Sequence, residues 1–353
     1  MADLAQATMP FLDTLANLRL PWLTAIFNAL TYLGDEKLFV VISMIVLWCF
    51  SKRGGLYMLT VGFGVSNVGQ ALKMVFRIPR PWNLGNEPFL KADPIARGSA
   101  ANATGEATGL SKLVGKLLGG GADGWSFPSG HTLISVGTYG SMAAWFSQKW
   151  VKIVGIVLAV LIPFTRIYLG VHTPLDILGG AVIALIAVLA LRPIFASDGK
   201  NRIRGVLIGN IALSAVLLVL MYLNNPQGLA GEDVGNYCSG IKNLWQLLGA
   251  TIAVEIAFEV DEKWLHYDTR AIWWAQLLKI AGGCVIVLAL QMGIQKALGY
   301  SSDALTVENM TRMGIIACAA NLVAMTAGAA LWPMTFKKFR TMGGYIKGKH
   351  AKV

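Results

Sequence analysis

Three blocks of this chain, residues 153–163, 177–191 and 205–223, contain no charged side chain. A bilayer core is crossed by a helix of about twenty apolar residues, so blocks of this kind restrict the chain to helical membrane architectures. A large soluble core would need polar faces recurring at helical spacing, and these blocks have none. Composition agrees: 55% of residues are hydrophobic and 14% charged, far from the balance of a soluble domain. The fold class expected is an all-α integral membrane protein.

Ten spans are expected, at 20–34, 36–50, 56–76, 131–147, 150–168, 174–195, 205–223, 242–260, 271–296 and 311–333. Residues 8–18 read as a helix lying at the interface. Asp3, Asp13 and Arg19 interrupt the N-terminal stretch, which does not read as a cleavable signal. If the spans alternate, Lys52, Arg53, Lys149, Lys152, Arg192, Lys200, Arg202, Arg204 and the basic tail from Lys337 to Lys352 share one side. The positive-inside rule makes that side cytoplasmic, with both termini on it. The net charge of +11 is therefore read as basic loops facing anionic lipid, not as a nucleic-acid surface. If the source is bacterial, the location is the inner membrane. Of Cys49, Cys238, Cys284 and Cys318, three fall in apolar blocks and Cys238 in a polar loop, which argues against a disulfide framework.

Charged residues are costly in a span, so those at span ends carry information. Ser66, Gln70, Lys73 and Arg77 are spaced by four, three and four, which puts them on one helical face. Pro79 stops that helix and Arg80-Pro81 follows. Span four opens at Pro128-Ser129-Gly130-His131, and span five ends in Thr165-Arg166. Span six follows His172, with Thr173 as N-cap, Pro174 at the first helical position and Asp176 in the first turn. Parity brings all these ends to the non-cytoplasmic face. Three charged blocks, with two of the four histidines, thus meet at one membrane surface.

The residue types suit a tetrahedral dianion. Lys73, Arg80 and Arg166 supply fixed positive charge, and the backbone N–H groups of Ser129 and Gly130 at a helix start add an anion cradle. His172 and Asp176 are four apart, so the carboxylate can hold one ring nitrogen and leave the other to attack phosphorus. His131 is placed to protonate the leaving oxygen. Unaided phosphate-monoester hydrolysis is extremely slow, and dense preorganised charge is what such a reaction needs.

Lys73 to Arg80-Pro81, Pro128 to His131, and Arg166 with His172 and Asp176 resemble the three signature blocks of the type-2 phosphatidic acid phosphatase superfamily. The resemblance covers residues from about 20 to 195. It implies a six-helix phosphatase core in which Lys73, Arg80, Arg166, Ser129 and Gly130 hold phosphate. His172 would be the nucleophile of a phosphohistidine intermediate, Asp176 its orienter and His131 the acid, with no metal or other cofactor. One departure is Thr165, where the family usually has serine. The implied activity is hydrolysis of a membrane lipid phosphate or a polyprenyl pyrophosphate. A soluble phosphate ester, such as a sugar phosphate, and a non-catalytic lipid carrier of the same fold are the rival readings.

The expected organisation is a catalytic core over 1–195 and an extension of about four transmembrane helices over 196–353. The long Gly/Ala-rich segment 82–127 would hang over the site, with a small helix bearing Leu110, Leu113, Leu117 and Leu118. In the extension, Glu255 and Lys279 fall at similar depths and are expected to pair; a transporter built around them is a third reading. Ala320, Ala324 and Gly328 form a small-residue stripe suited to close packing, within the chain or in a homodimer.

Overall fold

A computed structural model describes residues 2–84, 124–224, 228–301 and 305–341. Most of the expected loop 82–127, with its leucine-bearing helix, lies outside the described residues. Among them, all regular structure is helical. In order, the helices are α1 (Ala2–Gln6), α2 (Met9–Asn17), α3 (Pro21–Thr31), α4 (Glu36–Cys49), α5 (Lys52–Phe76), α6 (Gly130–Trp145) and α7 (Lys149–Tyr168). There follow α8 (Pro174–Ala196), α9 (Lys200–Leu223), α10 (Glu232–Val260), α11 (Trp273–Ala297), α12 (Met310–Thr326) and α13 (Phe336–Thr341). Every expected span falls on a helix, and α2 occupies the expected interfacial stretch.

The chain is an all-α integral membrane protein. Five helical stretches are long and apolar enough to cross a bilayer: α7, α8, α9, α11 and the run Met310–Phe339 that contains α12. In α7, α8, α9 and α11 most apolar residues point outward, which only lipid surroundings make favourable, whereas the run Met310–Phe339 is largely buried against its neighbours. In α8 Leu178, Val182, Leu185, Ile186 and Leu189 are all exposed, and so are Val285, Leu288 and Met292 of α11.

The opposite pattern marks α5. Tyr57, Met58, Leu59 and Val61 are fully buried, because α4, α6, α8, α9 and α10 all pack around this helix. Gly62 permits the α4 approach: a Cβ there would fall 2.2 Å from the Phe39 ring. The central position of α5 matters for function, since its last turn carries Lys73. At its opposite end ion pairs tie the loops together: Lys52 to Asp261, Arg53 to Asp198, Lys200 to Glu262, and Arg204 to Glu259. Lys52, Arg53, Lys200 and Arg204, four of the basic residues expected on one side, thus share one end of the bundle.

Two expectations for the C-terminal part change, and one alternative is narrowed. Cys238 is not in a loop; α10 begins ten residues before the expected span, and Cys238 is buried in it. All four cysteines are free. Lys279 does not pair with Glu255: its ammonium donates to the Thr269 carbonyl (2.9 Å) and lies 4.5 Å from the Phe336 ring centroid. Glu255 has Glu259, Arg204 and Lys263 as its charged neighbours. The small-residue stripe is used inside the chain. Ala320 and Ala324 are buried, and the Gly328 carbonyl accepts from Trp48 Nε1 at 3.0 Å.

Candidate active site

Each of the three blocks reaches the site from a helix end. Helix α5 stops at Phe76, where Arg77 takes a left-handed conformation (φ 48°) and its N–H closes on the Lys73 carbonyl at 2.9 Å. That cap turns the chain so that Arg80 points back towards the helices. Arg77, expected on the face of Lys73, instead donates to the Met74 carbonyl and faces the Trp125 ring at 5.9 Å. Ser129 caps α6 and Thr173 caps α8. Between α7 and α8 the chain has only five residues, so Arg166 and His172 are held close.

The blocks converge as expected. His172 is within electrostatic reach of Arg80, Arg166 and Lys73, and His131 is within reach of these three and of His172. A Cβ on Gly130 would lie 3.8 Å from Lys73 Nζ, so the first and second blocks face each other directly. Arg166 is fully buried, with Nη1 donating to Thr31 Oγ1 at 2.9 Å. Gly34 packs α4's approach against His131: a Cβ there would sit 3.3 Å from the His131 carbonyl oxygen.

The environment of His172 fixes its tautomer. Arg80 Nη1 donates to His172 Nε2 at 2.7 Å, so Nε2 carries the lone pair. The proton is then on Nδ1, 3.4 Å from Asp176 Oδ2 and 3.3 Å from Ser126 Oγ. His172 is 1% exposed. Burial, then the nearby charges of Arg80, Arg166 and Lys73, hold its pKa well below the ordinary imidazole value, so the ring is neutral at pH 7. Arg80 is fixed in turn, with Nε donating to the Gly124 carbonyl (2.9 Å) and Nη1 to the Val171 carbonyl (3.1 Å).

Asp176 has more partners than the sequence suggested. Thr173 and Asp176 form a capping box: Thr173 N donates to Asp176 Oδ2 at 2.7 Å, and Asp176 N donates to Thr173 Oγ1 at 3.3 Å. Ser126 Oγ adds a 2.6 Å bond to the same oxygen. The His172 contact is therefore the longest of three at Oδ2. Ser126 and Thr31 were not singled out in the sequence. Both are neutral hydroxyl residues beside apolar or aromatic neighbours, and nothing in their spacing marks them.

One donor expected in the anion cradle is already engaged: Ser129 N donates to the Asp176 carbonyl at 3.1 Å. Ser129 Oγ accepts from Thr132 N. The first-turn N–H groups of Gly130 and His131, by contrast, lie where no carbonyl of α6 itself can reach them. His131 Nε2 is buried and has no hydrogen-bond partner among the described residues. Thr165, the departure from the family pattern, turns its hydroxyl back onto the Ile162 carbonyl at 2.6 Å.

Comparison with known proteins places this geometry. Residues 54–199, which hold all three blocks, match the PAP2 superfamily. An undecaprenyl-diphosphatase of Sulfolobus acidocaldarius is 48% identical over 56 residues, 16% of this chain and 27% of that protein. A phosphatidylglycerophosphatase B of Bacillus subtilis is 25% identical over 182 residues, 48% of this chain and 73% of that protein. A lipid A 4'-phosphatase of Bacteroides thetaiotaomicron is 34% identical over 74 residues, 21% of this chain and 33% of that protein. The chain thus spans about a quarter to a third of the archaeal and Bacteroides relatives. No solved structure matches it. Residues 54–199, with their three blocks gathered around His172, are thus what this chain shares with the PAP2 superfamily.

Proposed function

We propose that this protein is a membrane phosphatase that hydrolyses a lipid phosphate or polyprenyl pyrophosphate through a phosphohistidine on His172. Residues 1–195 form the catalytic core in this reading, and 196–353 an extension. The observation that carries it is the state of His172: a neutral, buried imidazole with its Nε2 lone pair turned towards Arg80 and its Nδ1 proton towards Asp176. A phosphoryl group binding to Arg80, Lys73, Arg166 and the Gly130 and His131 N–H groups gives the guanidinium a better partner than the ring. Uncovering of Nε2 is then coupled to arrival of the substrate. Nε2 forms the new N–P bond as the P–O bond of the leaving group breaks, and His131, which takes up a proton once the phosphoryl dianion offsets the neighbouring cations, gives that proton to the leaving oxygen. Water, losing a proton to His131, then attacks phosphorus; the N–P bond breaks, its electron pair returns to His172 Nε2, and phosphate leaves.

The substrate class follows from the relatives, whose names all refer to lipid or polyprenyl phosphates, and from a site at the ends of membrane helices. The distribution of basic loop residues supports a site on the non-cytoplasmic face with both termini in the cytoplasm. The test is phosphate release by the purified protein across a panel of polyprenyl pyrophosphate, phosphatidate and a sugar phosphate, with His172→Ala as control. Release from the lipids that His172→Ala abolishes supports the reading. Preferential cleavage of the sugar phosphate would reassign the substrate. No release from any member would favour the lipid-carrier reading.

A further inference from the structure

Trp125 stands where the segment before α6 returns to the site, and its two chain neighbours both hold catalytic-site groups. The Gly124 carbonyl accepts from Arg80 Nε at 2.9 Å. The Ser126 hydroxyl donates to Asp176 Oδ2 at 2.6 Å, and Ser126 N donates to the Ile78 carbonyl at 2.8 Å. Trp125 itself makes no such contact. Its indole is 3% exposed and turns the other way, into a buried cluster with Tyr237, Cys238 and Ile241 of α10. There Nε1 donates to Asp233 Oδ1 at 2.8 Å, in the first turn of α10. The neighbouring Glu232 accepts from Asn83 Nδ2 at 3.3 Å, just after Arg80-Pro81-Trp82. One helix turn therefore grips the chain on both sides of the segment that joins the first block to the second.

Helix α10 lies wholly beyond residues 54–199 and carries no motif of its own. We propose that its first turn is a positioning element of the phosphatase site, acting through the Asp233–Trp125 hydrogen bond to hold Arg80 and Asp176 against His172. Trp125 and Asp233 are positioning residues: neither touches the reacting atoms. The physical basis is leverage. A buried indole fixed at its Nε1 sets the backbone at Gly124 and Ser126, and displacements near 1 Å at reacting groups cost about a hundredfold in rate. This inference rests on the phosphatase reading and gives a role to the helices after residue 199.

Four variants test it: Trp125→Phe, which keeps the ring and loses the N–H; Asp233→Leu; Asp233→Asn, which keeps a carbonyl acceptor; and the double variant Trp125→Phe/Asp233→Leu. For folded, monodisperse protein, kcat and KM for phosphate release and the pH profile of kcat/KM are measured beside thermal stability. Trp125→Phe and Asp233→Leu should each lower kcat by about tenfold or more, with the acid limb of the pH profile displaced as Arg80 shifts from His172. Asp233→Asn should stay within about twofold of the parent, and the double variant should be no worse than the poorer single one. Unchanged kcat and pH profile in folded Trp125→Phe and Asp233→Leu, with only the melting temperature lowered, would show a purely structural contact and overturn the inference. Equal impairment of Asp233→Asn and Asp233→Leu would overturn it too. A parent protein that releases no phosphate overturns the phosphatase reading itself, and this inference with it.

Discussion

Replacing Ser126 with alanine isolates the holding of Asp176 from the chemistry at His172, because it deletes one hydroxyl and leaves both reacting rings in place. Ser126 and Asp176 are both fully buried, and their 2.6 Å O–H···O contact is short and charge-assisted. A hydrogen bond to a charged group contributes about 1.5–3 kcal/mol net. After the substitution Asp176 Oδ2 keeps the 2.7 Å bond from Thr173 N, so the cap of α8 survives. What is lost is the lateral tether that keeps this carboxylate beside His172 Nδ1. If half of the bond's value appears in the transition state, the cost is about 1 kcal/mol, a fall in kcat of roughly five- to tenfold. KM should change little, since Ser126 faces the carboxylate and not the phosphate pocket. The assay is steady-state phosphate release with kcat and KM resolved, beside a thermal unfolding curve in the same detergent. A kcat within a factor of about two of the parent, with stability unaltered, would refute the reasoning that Asp176 is held for His172 by Ser126. A rise in KM alone would place Ser126 in substrate binding instead.

Four further outcomes are expected. His172→Ala should reduce phosphate release to background with folding intact, and Asp176→Asn should act less severely, because the Asp176–His172 contact is already long at 3.4 Å; equal loss in both, measured on folded protein, would contradict this order. His172 must be neutral to attack, and its pKa lies well below 6.5, so the acid limb of kcat/KM should fall below that pH; Lys73→Met removes a neighbouring cation, raises the pKa and should move the limb upward, and a downward or absent shift in the pH profile counts against the assignment. Activity should survive EDTA and be inhibited by vanadate, a trigonal-bipyramidal mimic of the transferring phosphoryl group; loss on chelation with recovery on adding zinc or magnesium would remove the phosphohistidine scheme. Asp35, which caps α4 by accepting from Lys37 N at 2.8 Å, has its pKa raised by burial to about 6; a folded pKa above the unfolded one means that stability falls as pH rises from about 4 to 6, so Asp35→Asn should raise the melting temperature at pH 7.5 and lose that advantage near pH 4. A melting-temperature gain that does not shrink on acidification would show that the carboxylate is not the source.

The gathering of the candidate site residues is legible in the sequence, and the reason is physical. Charge inside a bilayer protein is expensive, so Lys73, Arg80, Arg166, His131, His172 and Asp176 stand out against apolar blocks, and span parity brings them to one face. What could not be read is how these groups partner one another. The sequence presents Arg80 as a phosphate ligand, whereas the structure shows its guanidinium on His172 Nε2. Ser129 N was counted as a donor to phosphate, and it is taken by the Asp176 carbonyl. Such choices depend on angstrom-scale competition among donors, which residue spacing does not encode. The start of α10 failed for a different reason. Residues 232–241 are too polar to look like membrane, so hydropathy places the span at 242, yet the helix runs on above it to Glu232. That extra length is stabilised by the segment it covers: Trp125 is buried against Tyr237 and Ile241, and Asp233 satisfies its indole N–H. Hydropathy senses the bilayer alone. A helix end held by long-range contacts with the roots of another segment leaves no periodic signal, and that is where the link between the last helices and the site was hidden.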